Sequence, residues 1–496
     1  MNLAHHVPDS AGTHPDHPAL RLGDTIVSYR ALDRDSARMA GLLQHRGVRP
    51  GDRVALMLPN VPEFAVVYYG VLRAGGVVVP MNPLLKSREV RYYLGDSGAR
   101  TLFVWHDFAD EAIAGARQVD VEAVVVRPGA LDELPPAARP QEDLTDRHND
   151  DTAVILYTSG TTGRPKGAEL THANLNRNCG IAASGLFRLT ADDVIFGGLP
   201  LFHAFGQTCT LNAAVASGAC LTLLPRFDAA QALGILDAHA VTVFAGVPTV
   251  YSRLVRQPGK EGYDTSRLRV CLAGGAELPV QVLYDFQDAF GCVVLEGYGL
   301  SETSPVVSVN TEQAGPRPGS VGTPIPGVRV RVVDGGREVP RGETGEITVR
   351  GHNVMKGYWQ RPEETAATIR DGWLHTGDLG RVDQDGYLWI VGRKKDVIIR
   401  GGYNVYPREV EDVLYEHPDV ADAAVVGIPD PDLGEEVGAA VVLRPGARAT
   451  AEELRAYVKA RVAAYKYPRK VWLADALAKG PTGKILKREI VPPAGR

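Results

Sequence analysis

The chain has 496 residues, which is too long for one hydrophobic core, so we expect two or more domains. Hydrophobic residues make up 44% and charged residues 23%, as in ordinary globular proteins that are soluble in water. The formal net charge is −5, and because the basic residues form no block or stripe, the composition argues against a nucleic-acid partner.

The cysteines and the apolar stretches indicate the compartment. Five cysteines are scattered without a CxxC pair or a metal-binding spacing with histidine, so we interpret them as small buried hydrophobes in a reducing compartment. They are Cys179, Cys209, Cys220, Cys271 and Cys292. The N-terminus lacks the pattern of a signal peptide, and no apolar stretch approaches the ~18 residues that span a bilayer. We therefore expect a cytoplasmic protein without a transmembrane segment.

Helix and strand signals alternate along the first part of the chain. The segment "SYRALDRDSARMAGLLQHRG" (28–47) has the apolar period of a helix and closes at a glycine, and "DRVALMLPN" (52–60) predicts a strand that runs into a turn. The segment "VPEFAVVYYGVLRAGG" (61–76) is again helical, and "VVVPMNP" (77–83) is again a strand. This alternation predicts an α/β fold with mainly parallel sheets covered by helices.

The same unit recurs between residues 268 and 302. "LRVCLAGGAELP" predicts a strand and a glycine turn, "VQVLYDFQDAFG" a helix, and "CVVLEGYGLSE" a second strand and turn. Ligands of such folds gather beyond the carboxyl ends of the strands, so both turns lie where a ligand could bind.

The texture changes from about Ser320, where short β segments with Gly and Pro turns predict a small β-rich subdomain. We predict a domain boundary within "GRKKDVIIRGG" (392–402). Our division is a large N-terminal domain of βα-built sheets with this subdomain, residues 1–393, and a small mobile α+β C-terminal domain, residues 394–496.

The stretch "YTSGTTGRPKG" (157–167) has the chemistry of a phosphate-binding loop. Its glycines let backbone N–H groups converge on an anion, its hydroxyls add donors, and Lys166 adds positive charge. A Walker P-loop would need a second glycine where Pro165 stands, so that template fails.

With six further motifs, this loop resembles the adenylate-forming superfamily, which includes acyl-CoA synthetases, luciferases and peptide-synthetase adenylation domains. Each motif alone is weak, but the matching order along nearly the whole chain is very specific. The six motifs are "PLFHAFG" (200–206), "GGAELP" (274–279), "GYGLSET" (297–303), "GWLHTGDLG" (372–380), "GRKKDVIIRGGYNVYPREVE" (392–411) and "GPTGKILKRE" (480–489).

The resemblance implies a nucleotide site. Tyr298 would offer a flat surface for adenine, Asp378 would accept hydrogen bonds from the ribose, and Arg393 would contact the sugar or a phosphate. Glu302, with Thr158, would hold Mg²⁺ beside the ATP phosphates. The implied nucleotide-binding residues are Thr158, Ser159, Gly160, Thr161, Thr162, Gly163, Lys166, Gly274, Gly275, Ala276, Glu277, Gly297, Tyr298, Gly299, Ser301, Asp378 and Arg393.

The resemblance also implies catalytic and conformational roles. Lys484 matches the catalytic lysine of adenylation, an ammonium that would hold the substrate carboxylate against the α-phosphate. His203 matches a residue that borders the acyl pocket, and we expect it to position groups there and not to act as a base. Lys395 matches the hinge. Gly401, Gly402 and Tyr403 match the strand that lines the pantetheine channel.

These matches predict an AMP-forming acyl-CoA ligase that uses ATP, CoA and a carboxylic acid. We expect a medium- or long-chain fatty acid. The presumed pocket residues, 204–214 and 243–251, are mostly small and apolar and include no Arg or Lys that could pair with a second carboxylate. Three alternatives stay open: an aryl acid such as coumarate or benzoate, a carrier protein as the acceptor instead of CoA, and a nucleotide-binding regulatory protein without catalysis.

Overall fold

The structure is a computed structural model that describes residues 1–129, 140–141, 143–158, 164–480 and 484–493. The α-helices are α1 (His6–Thr13), α2 (Tyr29–His45), α3 (Pro62–Arg73), α4 (Ser87–Ser97), α5 (Ala109–Arg117), α6 (His172–Gly180), α7 (Ala204–Gly206), α8 (Ala213–Ser217), α9 (Ala229–Ala238), α10 (Pro248–Arg256), α11 (Val280–Phe290), α12 (Pro362–Thr368), α13 (Pro407–Tyr415) and α14 (Ala451–Lys459). Turns of π-helix follow α6 (Ile181–Leu186) and join α7 to α8 (Gln207–Asn212). The 3-10 turns are Leu3–His5, His106–Phe108, Lys260–Gly262, Ser301–Thr303, Lys394–Asp396 and Lys487–Glu489.

The strands are β1 (Pro18–Leu22), β2 (Thr25–Ser28), β3 (Arg53–Met57), β4 (Val77–Pro80), β5 (Thr101–Trp105), β6 (Glu122–Val126), β7 (Thr152–Thr158), β8 (Lys166–Thr171), β9 (Val194–Gly197), β10 (Cys220–Leu223), β11 (Val243–Gly246), β12 (Val270–Ala273), β13 (Val293–Gly299), β14 (Val306–Val309), β15 (Thr323–Pro324), β16 (Val328–Asp334), β17 (Arg337–Glu338), β18 (Gly345–Gly351), β19 (Gly357–Tyr358), β20 (Ile369–Arg370), β21 (Trp373–Val382), β22 (Leu388–Arg393), β23 (Ile398–Arg400), β24 (Tyr403–Val405), β25 (Val420–Asp430), β26 (Gly434–Leu443) and β27 (Lys470–Leu473).

Two large sheets with parallel centres carry most of the N-terminal part. Sheet A has the strand order β15-β14-β13-β12-β11-β9-β10-β1-β2, and it is parallel from β13 to β1. Sheet B has the order β19-β8-β7-β4-β3-β5-β6, and it is parallel from β7 to β6. The edge pairs β13–β14, β1–β2 and β7–β8 are antiparallel. The predicted α/β class with mainly parallel sheets is confirmed.

The remaining strands form two smaller sheets. Sheet C has the order β17-β16-β18-β21-β20 with β22 beside β21, and all of its pairs are antiparallel. Sheet D has the order β24-β23-β26-β25 with β27 parallel to β26, and helices α13 and α14 pack against it. The chain leaves sheet C at Arg393 and enters sheet D at Ile398, after a 3-10 turn at Lys394–Asp396. The predicted boundary falls in this turn, although the division into two domains stays a prediction.

Helix α3 (Pro62–Arg73) is buried at every position, as expected for a helix that is apolar around nearly its whole circumference. Arg73, the arginine at the end of α3, is 2% exposed. It donates to the Asp33 carboxylate at 2.5 Å and to the Ser36 hydroxyl at 2.9 Å. These bonds pair the buried charge and join α3 to α2, although Arg73 Nε has no partner among the described residues. Both helices are confirmed, but α2 and α3 are shorter than the predicted segments 28–47 and 61–76. Among the described residues, no helix is long and apolar enough to cross a bilayer.

Candidate active site

Two glycine turns at the carboxyl edge of sheet A form the floor of the candidate site. Strands β12 and β13 are parallel neighbours with Ala273 opposite Glu296, so the turns that follow them lie side by side. Gly275 has φ +78°, which favours glycine. A Cβ added at Gly299 would lie 2.0 Å from the Pro305 carbonyl oxygen, so this position admits only glycine. The backbone is therefore shaped to approach a ligand closely.

The phosphate-loop motif connects β7 to β8. Thr158 and Lys166 are opposite each other in this antiparallel pair. The Thr158 hydroxyl donates to Glu302 Oε1 at 3.2 Å, and the Tyr358 hydroxyl donates to the same oxygen at 3.0 Å. The Lys166 Nζ lies 5.3 Å from the centroid of the Tyr358 ring. The predicted residues Ser159, Gly160, Thr161, Thr162 and Gly163 lie outside the described residues.

The contact between Glu302 and Thr158 fits Mg²⁺, which prefers carboxylate and hydroxyl oxygens. Among the described residues, no group of three or more His, Cys, Asp or Glu side chains could hold a metal. A magnesium ion here would therefore depend on substrate phosphates and water for most of its ligands, which is its usual mode in nucleotide sites.

A second polar cluster joins sheet A to sheet C. Asp378 is 5% exposed, and it receives Arg393 Nε on Oδ1 at 2.8 Å and the Tyr298 hydroxyl on Oδ2 at 2.7 Å. Arg393 stands opposite Asp378 in the β21–β22 ladder. Burial, and then the Asp378 charge, raises the pKa of Tyr298, so its hydroxyl stays a donor. Each carboxylate oxygen keeps a free lone pair for a sugar hydroxyl.

Glu346 supports this cluster, and no motif in the sequence distinguishes it from other acidic residues. Its Oε1 accepts the backbone N–H of Gly377 at 3.2 Å, and its Oε2 lies 3.4 Å from His375 Nδ1 and 3.3 Å from Lys394 Nζ. Burial opposes ionisation, but Lys394 and the hydrogen bond from His375 lower the pKa of Glu346 overall. Glu346 therefore holds Gly377, the residue that precedes Asp378 on β21.

Lys484 faces the same cluster from the C-terminal part of the chain. Its carbonyl accepts the Gly480 N–H at 2.8 Å. The Lys484 side chain keeps an exposed surface, but partial desolvation by the protein around it, and then the Arg393 charge, lower the pKa of its ammonium, whereas Asp378 and Asp396 raise it. Lys484 thus lies within electrostatic reach of the cluster around Asp378.

His203 lies at the apolar end of the site. Its Nε2 is buried and has no hydrogen-bond partner among the described residues, and burial lowers the pKa of the ring to about 4. The imidazole is therefore neutral at neutral pH, which agrees with the expected positioning role.

Two cavities, of about 480 Å³ and about 280 Å³, meet at these residues and form one cleft. Both are lined by Gly275, Gly297, Tyr298, Gly299 and Arg393. The sequence-predicted residues that line one or both cavities are Thr158, Lys166, His203, Gly274, Gly275, Ala276, Glu277, Gly297, Tyr298, Gly299, Ser301, Glu302, Asp378, Arg393 and Lys484.

Four predicted residues lie on the exposed surface instead. Lys395 is exposed in its 3-10 turn. Gly401 and Gly402 are exposed with φ +55° and +84° and form the turn between β23 and β24. Of the three predicted channel residues only Tyr403 lies in a strand, and it is 60% exposed and stacks on Tyr465. None of the three lines either cavity.

Two family models match the chain. Residues 7–359 match the model described as AMP-binding enzyme, and residues 409–484 match the model described as AMP-binding enzyme C-terminal domain. Residues 360–408, between the two matches, include the predicted domain boundary.

Two curated relatives align over nearly the whole chain. The long-chain-fatty-acid–CoA ligase of Bacillus subtilis (strain 168) is 39% identical over 520 residues, which cover 97% of this chain and 93% of the relative. The feruloyl-CoA synthase of an Amycolatopsis species is 41% identical over 480 residues, which cover 96% of each protein.

A solved structure with a similar arrangement is ATP-bound MatB from Rhodopseudomonas palustris. It has a TM-score of 0.92 and 36% identity over 98% of this chain and 97% of that chain. Apo MatB from the same organism, with the same identity and coverage, has a TM-score of 0.82. The arrangement of the present chain is therefore closer to the ATP-bound form than to the apo form.

Proposed function

The chain belongs to the AMP-binding enzyme family as an AMP-forming acid–CoA ligase, and on that premise we propose that its substrate is an apolar monocarboxylic acid, with a medium- or long-chain fatty acid first. A substrate carboxylate oxygen attacks the α-phosphorus of ATP, and pyrophosphate leaves with the β- and γ-phosphates. The CoA sulfur then attacks the carbonyl of the acyl-adenylate, AMP leaves, and the thiol proton passes to solvent or a base.

One observation carries the substrate class: the apolar end of the larger cavity. It is lined by His203, Phe205, Leu272, Val306 and Val309. A neutral imidazole and aliphatic and aromatic walls favour an alkyl or aryl group over a second carboxylate.

The cations that line the larger cavity among the described residues are Lys166, Arg370 and Arg393. Lys166 lies beside Tyr358 near Glu302, and Arg393 pairs with Asp378. Arg370 is exposed and donates to the Ala367 carbonyl at 2.9 Å. Positive charge at these positions suits the phosphates and the nucleotide sugar, which leaves the apolar end without an evident partner for a dicarboxylate.

An aryl acid is the second candidate. Phe205 lines the larger cavity, and its ring lies 3.2 Å from the position of a Cβ added at Gly274. An aromatic side chain in the wall favours an aryl substrate through ring contacts. The identity to a feruloyl-CoA synthase is 41%, slightly above the 39% identity to the fatty-acid ligase.

We assign the two half-reactions to two arrangements of residues 394–496 relative to residues 1–393. Lys484 serves adenylation, and its position beside Asp378 and Arg393 supports this assignment. The exposed segment 401–403 would line the CoA channel only after residues 396–496 had rotated about Lys395. Mg²⁺, when bound at Glu302 and Thr158, would neutralise phosphate charge. We expect the reaction in the cytoplasm.

The test is a mass analysis of thioesters that the purified chain forms from MgATP, CoA and an equimolar mixture of acids. The mixture contains saturated fatty acids of graded length, benzoate, coumarate, ferulate and malonate. A dominant fatty thioester is the expected result. A dominant aryl thioester would establish the second candidate, and a malonyl thioester would overturn the apolar assignment. AMP release without any thioester would instead indicate a carrier protein as acceptor.

A further inference from the structure

Arg408, in the first turn of helix α13, makes its strongest contacts outside sheet D. Its Nη1 donates to the Ile390 carbonyl at 2.5 Å, its Nη2 donates to the Gly319 carbonyl at 3.2 Å, and its Nε pairs with the Glu277 carboxylate. Ile390 belongs to sheet C, and Glu277 lies in the turn after β12 of sheet A. One side chain therefore joins α13 to three segments that precede the predicted boundary.

Solvent is largely excluded from this contact. The Arg408 side chain is 13% exposed, and although burial raises the pKa of Glu277, the Arg408 charge opposes that rise. By contrast, the side chain of Lys394, which pairs with Glu346 near the hinge, is 66% exposed, so water and salt screen that pair. Arg408 is thus the better anchor between the two parts of the chain.

Arg408 is also linked to Lys484. Lys487, three residues after Lys484, pairs with Glu411 on α13 at 2.6 Å. The loop that carries Lys484 is therefore tied to the helix that Arg408 anchors. Arg408 and Lys484 both line the smaller cavity, together with Tyr298.

We propose that Arg408 is a positioning residue for adenylation: through Glu277 and the Gly319 and Ile390 carbonyls it holds α13, and with it Lys484, at the nucleotide cleft. These contacts must break before the segment 401–403 can line the cleft for the CoA step. The inference rests on the proposed use of two arrangements, and it adds a residue that sets the balance between them.

The kinetic test compares Arg408→Met with the wild type in separate half-reactions, with dodecanoate as the acid, or ferulate if the mixture above gives an aryl product. We expect a 10–100-fold lower kcat for pyrophosphate release with little change in the KM for ATP. Thioester formation from supplied acyl-AMP stays within about twofold of the wild type or rises. Arg408→Lys retains the charge but cannot reach three partners, so its kcat for pyrophosphate release should lie between those of the wild type and Arg408→Met.

Lys466→Met is the matched control. Lys466 pairs with Glu409, the neighbour of Arg408 on α13, but both partners lie within residues 394–496. We expect this variant to leave the ratio of the two half-reactions unchanged. The double variant Glu277→Gln with Arg408→Met should lower the rate of pyrophosphate release by less than the two single effects combined, because both substitutions remove the same contact. Equal loss of both half-reactions in Arg408→Met would indicate a general structural role and overturn the proposal.

A measurement that needs no acid separates this proposal from the choice of substrate. All five cysteines are buried, so spin labels can be placed selectively at Leu84→Cys and Leu473→Cys, whose native side chains are 68% and 46% exposed. With MgATP, we expect one main distance in the otherwise unchanged chain and a second population after Arg408→Met. Identical distance distributions would overturn the proposal, even if the acid were misassigned.

Discussion

Asp378 and Lys484 line the same cleft, but the fold holds them in different ways. Asp378 lies on a strand, is 5% exposed, and is held by Arg393 from the neighbouring strand and by Tyr298 from another sheet. Lys484 lies on a loop whose position depends on Glu411 and Arg408 of α13. The predicted nucleotide-binding residue Asp378 is therefore held within packed sheets, whereas the predicted adenylation lysine lies on a segment that side-chain pairs join to α13.

Lys484→Ala should give the largest effect. Loss of the ammonium beside Asp378 removes charge stabilisation of the transition state, so we expect pyrophosphate release to fall by about 10²–10³-fold. Thioester formation from supplied acyl-AMP should remain close to that of the wild type. Lys459→Met, which removes an exposed lysine of α14 beside the Tyr467 ring, is the control and should retain adenylation. Parallel loss of both half-reactions would show that the lysine is not specific to one step.

Asp378→Asn should have the next largest effect, and it should act on the cluster that Asp378 forms with Arg393 and Tyr298. The amide keeps the shape but removes the charge that holds Arg393, and it replaces one acceptor by a donor that opposes Tyr298. We expect the KM for ATP to rise by about 10–100-fold, since charged hydrogen bonds contribute about 1.5–3 kcal/mol each. Isotherms for ATP binding would check this, and an unchanged affinity would contradict the ribose assignment.

Gly402→Leu should have a smaller effect, confined to the CoA step. Gly402 has φ +84° and open space around it, so the substitution strains the backbone by about 1–2 kcal/mol. Gly446→Leu is matched, because Gly446 has φ +82° and equally open surroundings. We expect a several-fold fall in the ratio of thioester formation to pyrophosphate release for Gly402→Leu alone. The same ratio in both variants would exclude a channel role.

Glu296→Gln should change catalysis least and instead test the packing beneath the cleft. Burial raises the pKa of Glu296 to about 7, against the hydrogen bond from the Gly319 N–H and the Arg408 charge. The folded chain therefore binds a proton more tightly than the unfolded chain, and Glu296 lowers stability as pH rises from about 4.5 to about 7. Across this pH range, the Tm should fall less steeply with pH in Glu296→Gln than in the wild type. An unchanged slope would contradict the pKa.

The sequence by itself determined the local parts of the site. The glycine turns at 274–275 and 297–299 were predictable, because left-handed backbone and close approach to a neighbouring carbonyl leave a local signature in residue type. The positions of α2 and α3, although not their ends, and the parallel strands followed from apolar periodicity. The order of the motifs was enough to predict the family, which the comparisons confirm.

Only the tertiary structure decided which distant groups share the cleft. Glu346 beneath Gly377, the Tyr298 hydroxyl on Asp378, and Arg408 on Glu277 each join residues that are 31 or more positions apart. Such pairs depend on which strands become neighbours and how α13 docks, and no local pattern encodes either. The side chain of Arg408 has the same sequence context whether it faces water or Glu277, so its role becomes visible only when the sheets are assembled.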